Sequence, residues 1–128
     1  MLQKDLNDLI RALIFNDIIK RINYLTDSEP YQNNKRELEN WYERLFNTFE
    51  WTMYCLNHQY LPSHTSAFID TFILGYFERI KKECPNLVKS WNNRIDIDAK
   101  KGKHHLFFYL RKWLGKDNTL LRKLPPHL

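Results

Sequence analysis

Lys100, Lys101, Lys103, His104 and His105 fall within six consecutive positions and form the densest group of chemically capable side chains in the sequence. Each lysine brings a compact positive charge with three donors, and each imidazole can donate, accept or carry a proton. Together these groups suit recognition of a polyanion, whose phosphate oxygens accept from cationic side chains and from free backbone N–H groups. Gly102, inside the cluster, lets a backbone or a ligand come close. Arg94, Arg111, Lys112, Lys116, Arg122 and Lys123 extend the positive field, with Phe108, Tyr109 and Trp113 set between them. Such rings can stack on bases when they are exposed. The expected nucleic-acid or anion contacts are therefore Arg94, Lys100, Lys101, Lys103, His104, Arg111 and Lys112.

The predicted position of the cluster adds to this expectation. Asp96 or Asp98 reads as the cap of a fifth helix running to about Leu114, so the lysines would open that helix. Positive charge at a helix start opposes the dipole and costs roughly a few tenths of a kcal/mol per group. A bound anion would remove the conflict. The plainer reading makes the lysines a solvated face and the aromatics core. No helix-turn-helix, zinc-finger or RNA-recognition signature accompanies the cluster, so charge alone carries the nucleic-acid reading.

Other chemistries find less support. Cys55 and His58 lie three apart, with His64 six residues later, but a closed zinc site needs four ligands and no second pair has ligand spacing. Arg94 with His104 and His105 offers the residue types of a metal-independent ribonuclease, without a spacing that defends it. Glu37, Glu39 and Glu43 belong to a polar helix face, where Arg36 and Arg44 can pair with them. Three glycines cannot build a Walker loop or a dinucleotide-binding turn, and no G-x-S-x-G occurs. The expectation is a non-catalytic protein without a cofactor or metal.

Four Trp, seven Tyr and eight Phe are too many for all of them to be interior in 128 residues. Trp41, Trp51 and Tyr54 are the expected partner contacts, since exposed Trp and Tyr dominate interface energetics. The alternative function is accordingly a protein–protein module: an inhibitor, an immunity factor or a helical oligomer subunit. Expected partners are nucleic acid or an acidic protein surface, with a homo-oligomer as a further option.

These side chains need elements to position them, and the pattern calls for an all-α fold: a compact bundle of about five helices in which no strand is required. Leu2, Leu6, Leu9 and Leu13, with Ile10, Ile14, Ile18 and Ile22, recur in steps of three and four and read as one broad stripe of a first helix. Thr26 to Pro30 breaks it. Asn34 with Glu37 resembles a capping box for a second helix whose stripe runs from Leu38 to Tyr60. Trp51 and Tyr54 fall off that stripe, so this helix is expected to be apolar on more than one face. Ser63 or Thr65 should cap a third helix, reaching about Glu83, whose buried face includes Phe68 and Phe72. Pro85 suits the first turn of a fourth, through Leu87, Val88 and Trp91. Ile95-Asp96-Ile97-Asp98 reads as a connection, and Gly115 as the glycine that closes the fifth helix. Residues 1–128 form one domain, with 119–128 a loosely docked tail.

Net charge is +5, unevenly spread: residues 1–60 hold seven basic and nine acidic side chains, residues 61–128 thirteen and six. The last thirty residues carry eight basic groups against Asp117 alone. No run reaches the roughly 18 apolar residues of a membrane span, and the N-terminal segment lacks the apolar core of a secretory signal. Cys55 and Cys84 have no framework spacing and suggest reduced, buried thiols. Together these features predict a cytoplasmic protein that is not in a membrane.

Overall fold

The computed structural model describes residues 2–31, 33–62, 64–102, 106–115 and 127–128, apart from the side chains of residues 66–68. Among them the chain forms five helices and no strand: α1 (Leu2–Asp27), α2 (Lys35–Asn57), α3 (Thr65–Glu83), α4 (Pro85–Lys100) and α5 (Phe108–Leu114). The all-α bundle expected from the sequence is the fold observed.

α2 is the central helix. It begins where Asn34 Oδ1 accepts from the Glu37 backbone N–H at 3.2 Å, the first half of a capping box. It packs against α1, α3 and α5 at once, which is why it is apolar on more than one face. Phe46 sits at the hub, its ring 5.1–6.3 Å from those of Tyr42, Phe49, Phe77, Trp91 and Phe107. Edge-on and tilted pairs of this kind add to the large apolar area that each ring removes from water. α1 reaches this core from Ile14 onward: Ile14 and Phe15 pack against it, and Ile18, Ile22 and Leu25 are buried.

Polar contacts tie the helices together at the edge of the core. The Tyr42 hydroxyl donates to Glu83 Oε2 at 2.7 Å, the Arg79 guanidinium donates to Glu83 at 3.1 Å and also to Glu29, and Lys35 Nζ reaches the Glu83 carbonyl. Burial, then the bond to Glu83, holds the Tyr42 hydroxyl well above its usual pKa. The same guanidinium lies 5.1 Å over the Tyr76 ring. Arg79 of α3 thus reaches the α1–α2 connection, while its partner Glu83 holds α2 through Tyr42 and Lys35.

The C-terminal part departs from the sequence reading. Residues 95–98 are helical, not a connection: α4 runs unbroken from Pro85 at its first turn to Lys100. Asp98 is buried and accepts from Arg94 Nε at 3.2 Å, while Asp96 accepts from His127, so neither caps a helix. The short α5 starts only at Phe108. Its N-cap is Phe107, in the left-handed region at φ 53° and without a side-chain cap of its own. Glu50, from α2, does the capping: Oε2 accepts from the Tyr109 N–H at 3.1 Å and Oε1 from the Leu110 N–H at 2.7 Å. Trp113 Nε1 donates to Asp70 of α3 at 2.7 Å, and Gly115 closes the helix as expected. Most of the tail lies outside the described residues, but its end does not: the Leu128 N–H donates to Asn92 of α4 at 2.9 Å. α3 begins at Thr65 without a side-chain cap, its N-cap position held by His64; Ser63, and the Phe68 side chain expected in its core face, lie outside the described residues.

Candidate functional site

The C-terminal end of α2 assembles a surface that neither its sequence nor that of α5 carries alone. Trp51, Tyr54 and His58 follow one another at steps of three and four, so they rise along one side of the helix. Trp51 and Tyr54 are stacked, 5.5 Å apart and 13° from parallel. The Tyr54 ring lies 4.2 Å from His58, whose Nδ1 is 2.9 Å from the Tyr54 carbonyl oxygen.

Tyr60 joins this ladder through a sharp turn of the chain. The Gln59 N–H donates to the Leu56 carbonyl at 3.1 Å and the Tyr60 N–H to the Cys55 carbonyl at 2.8 Å. That pair of bonds is a Schellman closure, and it needs a left-handed residue between them. Gln59 takes that conformation at φ 60°. The reversal returns the Tyr60 ring to His58, stacked at 5.7 Å and 25°. Tyr109, held in place by the Glu50 cap on its own backbone, packs edge-on against Tyr54 at 5.2 Å. Five rings from two distant segments are therefore contiguous, and Trp51 and Tyr60 remain 44% and 45% exposed.

Two cations flank the ladder. Lys112 lies one helical turn beyond Tyr109 and its Nζ donates to Asn57 Oδ1 at 3.1 Å. Arg11 of α1 donates from Nε to the Gln59 carbonyl at 2.9 Å and pairs with Asp8 at 3.2 Å. Between α1 and the end of α2 a cleft of about 360 Å³ is lined by Ile10, Arg11, His58 and Tyr60. Stacked rings with cations beside them offer faces to unpaired bases and charges to phosphates.

The residues singled out in the sequence are placed unevenly. Trp51 and Tyr54 meet in the ladder, with Lys112 beside it. Arg111 does not join them. Its side chain is 1% exposed and points inward, with Nη1 toward the Leu106 carbonyl at 3.4 Å. Burial lowers its pKa, and the nearby Glu50 and Asp96 carboxylates partly offset the cost. It is a core cation, not a surface contact. Trp41 is likewise no partner contact: it is 3% exposed and its indole donates to the Leu25 carbonyl at 2.7 Å.

Arg94 is engaged with Asp98, and Lys103 and His104, with His105, lie outside the described residues. Lys100 and Lys101 are exposed, but they end α4 instead of opening α5. Cations there complement the dipole, so the electrostatic conflict that suggested an anion disappears for these two. Their charge remains.

Cys55 is fully buried, and burial pushes its thiol up to about 11; Cys84 is buried and shifted the same way. Among the described residues no three of His, Cys, Asp and Glu come together as metal ligands, and no helix is long and apolar enough to cross a membrane. His58, Tyr60 and Arg11 were not among the contacts expected from the sequence, where Tyr60 ended the stripe of the second helix and His58 was weighed as a metal ligand. His58 followed from its spacing to Tyr54, whereas Tyr60 and Arg11 depend on the turn at Gln59. Comparison with protein-family models, with curated proteins and with solved structures found no match to this chain.

Proposed function

We propose that this is a non-catalytic binding protein that contacts single-stranded nucleic acid, free or within a nucleoprotein complex, through the aromatic ladder at the junction of α2 and α5. The carrying observation is the contiguous set of Trp51, Tyr54, His58, Tyr60 and Tyr109 rings, partly open to solvent and flanked by Lys112 and Arg11. Bases inside a duplex keep their faces covered, so a stacking surface suits unpaired bases. The positive balance of the C-terminal half supplies a field that draws a polyanion in. Trp51 and Tyr60 would stack with bases, Lys112 and Arg11 would meet phosphates, and Lys100 and Lys101 would add charge at longer range.

The test is fluorescence anisotropy with labelled single strands of about 20 nucleotides at about 50 mM and about 300 mM salt. Binding should weaken steeply with salt, fall by about tenfold or more in Trp51→Ala, and lose part of its salt slope in Lys112→Glu. No binding at the lower salt, or Trp51→Ala binding as well as the parent, would refute the reading. A second reading, a protein–protein module, draws on a different place in the molecule: the large apolar side chains exposed along the first half of α1.

A further inference from the structure

The first helix carries two apolar stripes, not one. At about 100° per residue, Ile14, Phe15, Ile18, Ile22 and Leu25 share the side that packs against the body. Leu2, Leu6, Leu9 and Leu13 lie on nearly the opposite side and are 49–86% exposed. Burial of the first set accounts for the fold. It leaves the second without a partner among the described residues.

The second stripe has a property that points to its occupant. Its steps are four, three and four, the spacing with which one helix seats knobs into another. That spacing reads the same in both directions. Two copies running antiparallel, centred between Asn7 and Asp8, set Leu2 of each against Leu13 of the other and Leu6 against Leu9. Such a contact is isologous and closes on itself.

The flanking residues agree. In this arrangement Asp5 comes near Ala12 and Gln3 near Ile10, so no like charges meet across the seam. A parallel pair would continue one heptad past Leu13 and face Lys20 with Lys20, which is unfavourable. A lipid surface is a poor alternative, because Lys4 and Arg11 are matched by Asp5 and Asp8 and leave no net attraction for anionic headgroups. The core packs on the far side of α1 from Ile14 onward, and nearer the seam the turn at residues 58–60 meets α1 at Ile10 and Arg11.

We infer that the exposed leucine stripe of α1 pairs with the same stripe of a second copy, forming an antiparallel homodimer distinct from the aromatic ladder. Four leucines per copy and their flanks fall at the small end of specific interfaces, near roughly 1,200 Å² in total. The dimer should therefore dissociate reversibly in the micromolar range.

Sedimentation from about 1 to about 500 µM tests it, a range that brackets micromolar dissociation. The parent protein should pass from monomer to dimer mass as concentration rises. The double variant Leu6→Glu/Leu9→Glu should stay monomeric throughout, with helix content and melting temperature at low concentration unchanged, because both side chains are exposed. A parent that stays monomeric at the highest concentration, or a dimer that survives the double variant, overturns the proposal. Orientation has its own test, since Cys55 and Cys84 are buried and out of reach. Mixing Leu2→Cys with Leu13→Cys under mild oxidation should give the mixed disulfide, whereas efficient Leu2→Cys homodimers would overturn the antiparallel arrangement. Trp51→Ala should dimerise like the parent, which keeps this result separate from that of the nucleic-acid test.

Discussion

α2 and the first half of α1 are both rich in large apolar side chains, yet they dispose of them in opposite ways. α2 turns Leu38, Trp41, Tyr42, Leu45, Phe46 and Phe49 into a core shared with three other helices and leaves Trp51 of its last turns open, with Tyr60 just beyond its end. The first half of α1 keeps Leu2, Leu6, Leu9 and Leu13 outside. The same residue types thus hold the fold in one helix and are free for association in the other. Surroundings decide the role, and mutational cost should follow them.

Replacing Phe46 by Ala should have the largest effect. Phe46 touches five other rings, and its truncation should lower unfolding free energy by about 3–5 kcal/mol in urea. A loss below about 1 kcal/mol would mean that α2 is not the hub. Glu50→Ala comes next, at about 2–4 kcal/mol, since it leaves two N–H groups of α5 without their acceptor and removes a carboxylate that offsets the buried Arg111 charge. Near-UV circular dichroism should report the loosened Tyr109 environment at the same time.

The buried thiols make stability depend on pH. Cys55 ionises at about 11 in the folded protein, above its ordinary 9.0, so the unfolded chain loses that proton first. Between those values the native state holds more protons, and stability falls as pH rises; below about 9 this contribution is constant. Cys84, Tyr42 and Tyr76 are shifted in the same direction. Denaturation midpoints should therefore be flat from pH 7 to about 9 and decline above it, by on the order of 1–2 kcal/mol for Cys55 alone, with a shallower decline in Cys55→Ala. The smallest effect belongs to Leu9→Ala. Exposed and without a core contact, it should change monomer stability by less than about 0.5 kcal/mol, and a loss near that of Phe46→Ala would show that the first half of α1 is packed after all.

Much of the bundle was legible in local pattern. The Asn34 cap and Pro85 at the first turn of α4 sit where their chemistry places them, and Gly115 closes α5, at a φ of −92° that does not use glycine's left-handed freedom. What misled was pattern without direction. The leucines and isoleucines of α1 all obey steps of three and four, but those steps drift around the helix, and only the angular position separates the two stripes. The alternation at residues 95–98 suggested a break, yet Asp98 is accommodated inside by Arg94 one turn earlier. The true start of α5 rests on a carboxylate some sixty residues away, a contact that no local signal encodes. For the ladder, Trp51 and Tyr54 could be named from excess aromatic content, and His58 from spacing. Tyr60 required a left-handed glutamine, a conformation far more typical of glycine.

Amide NMR during titration with a single-stranded oligonucleotide separates the ladder from the basic end of α4 as the contact surface. Shifts should concentrate at the Trp51 indole, at residues 54–60 and at 109–112, and should weaken as salt is raised. Shifts confined to Lys100 and Lys101 at the end of α4, or none at near-saturating oligonucleotide, would contradict the ladder's role.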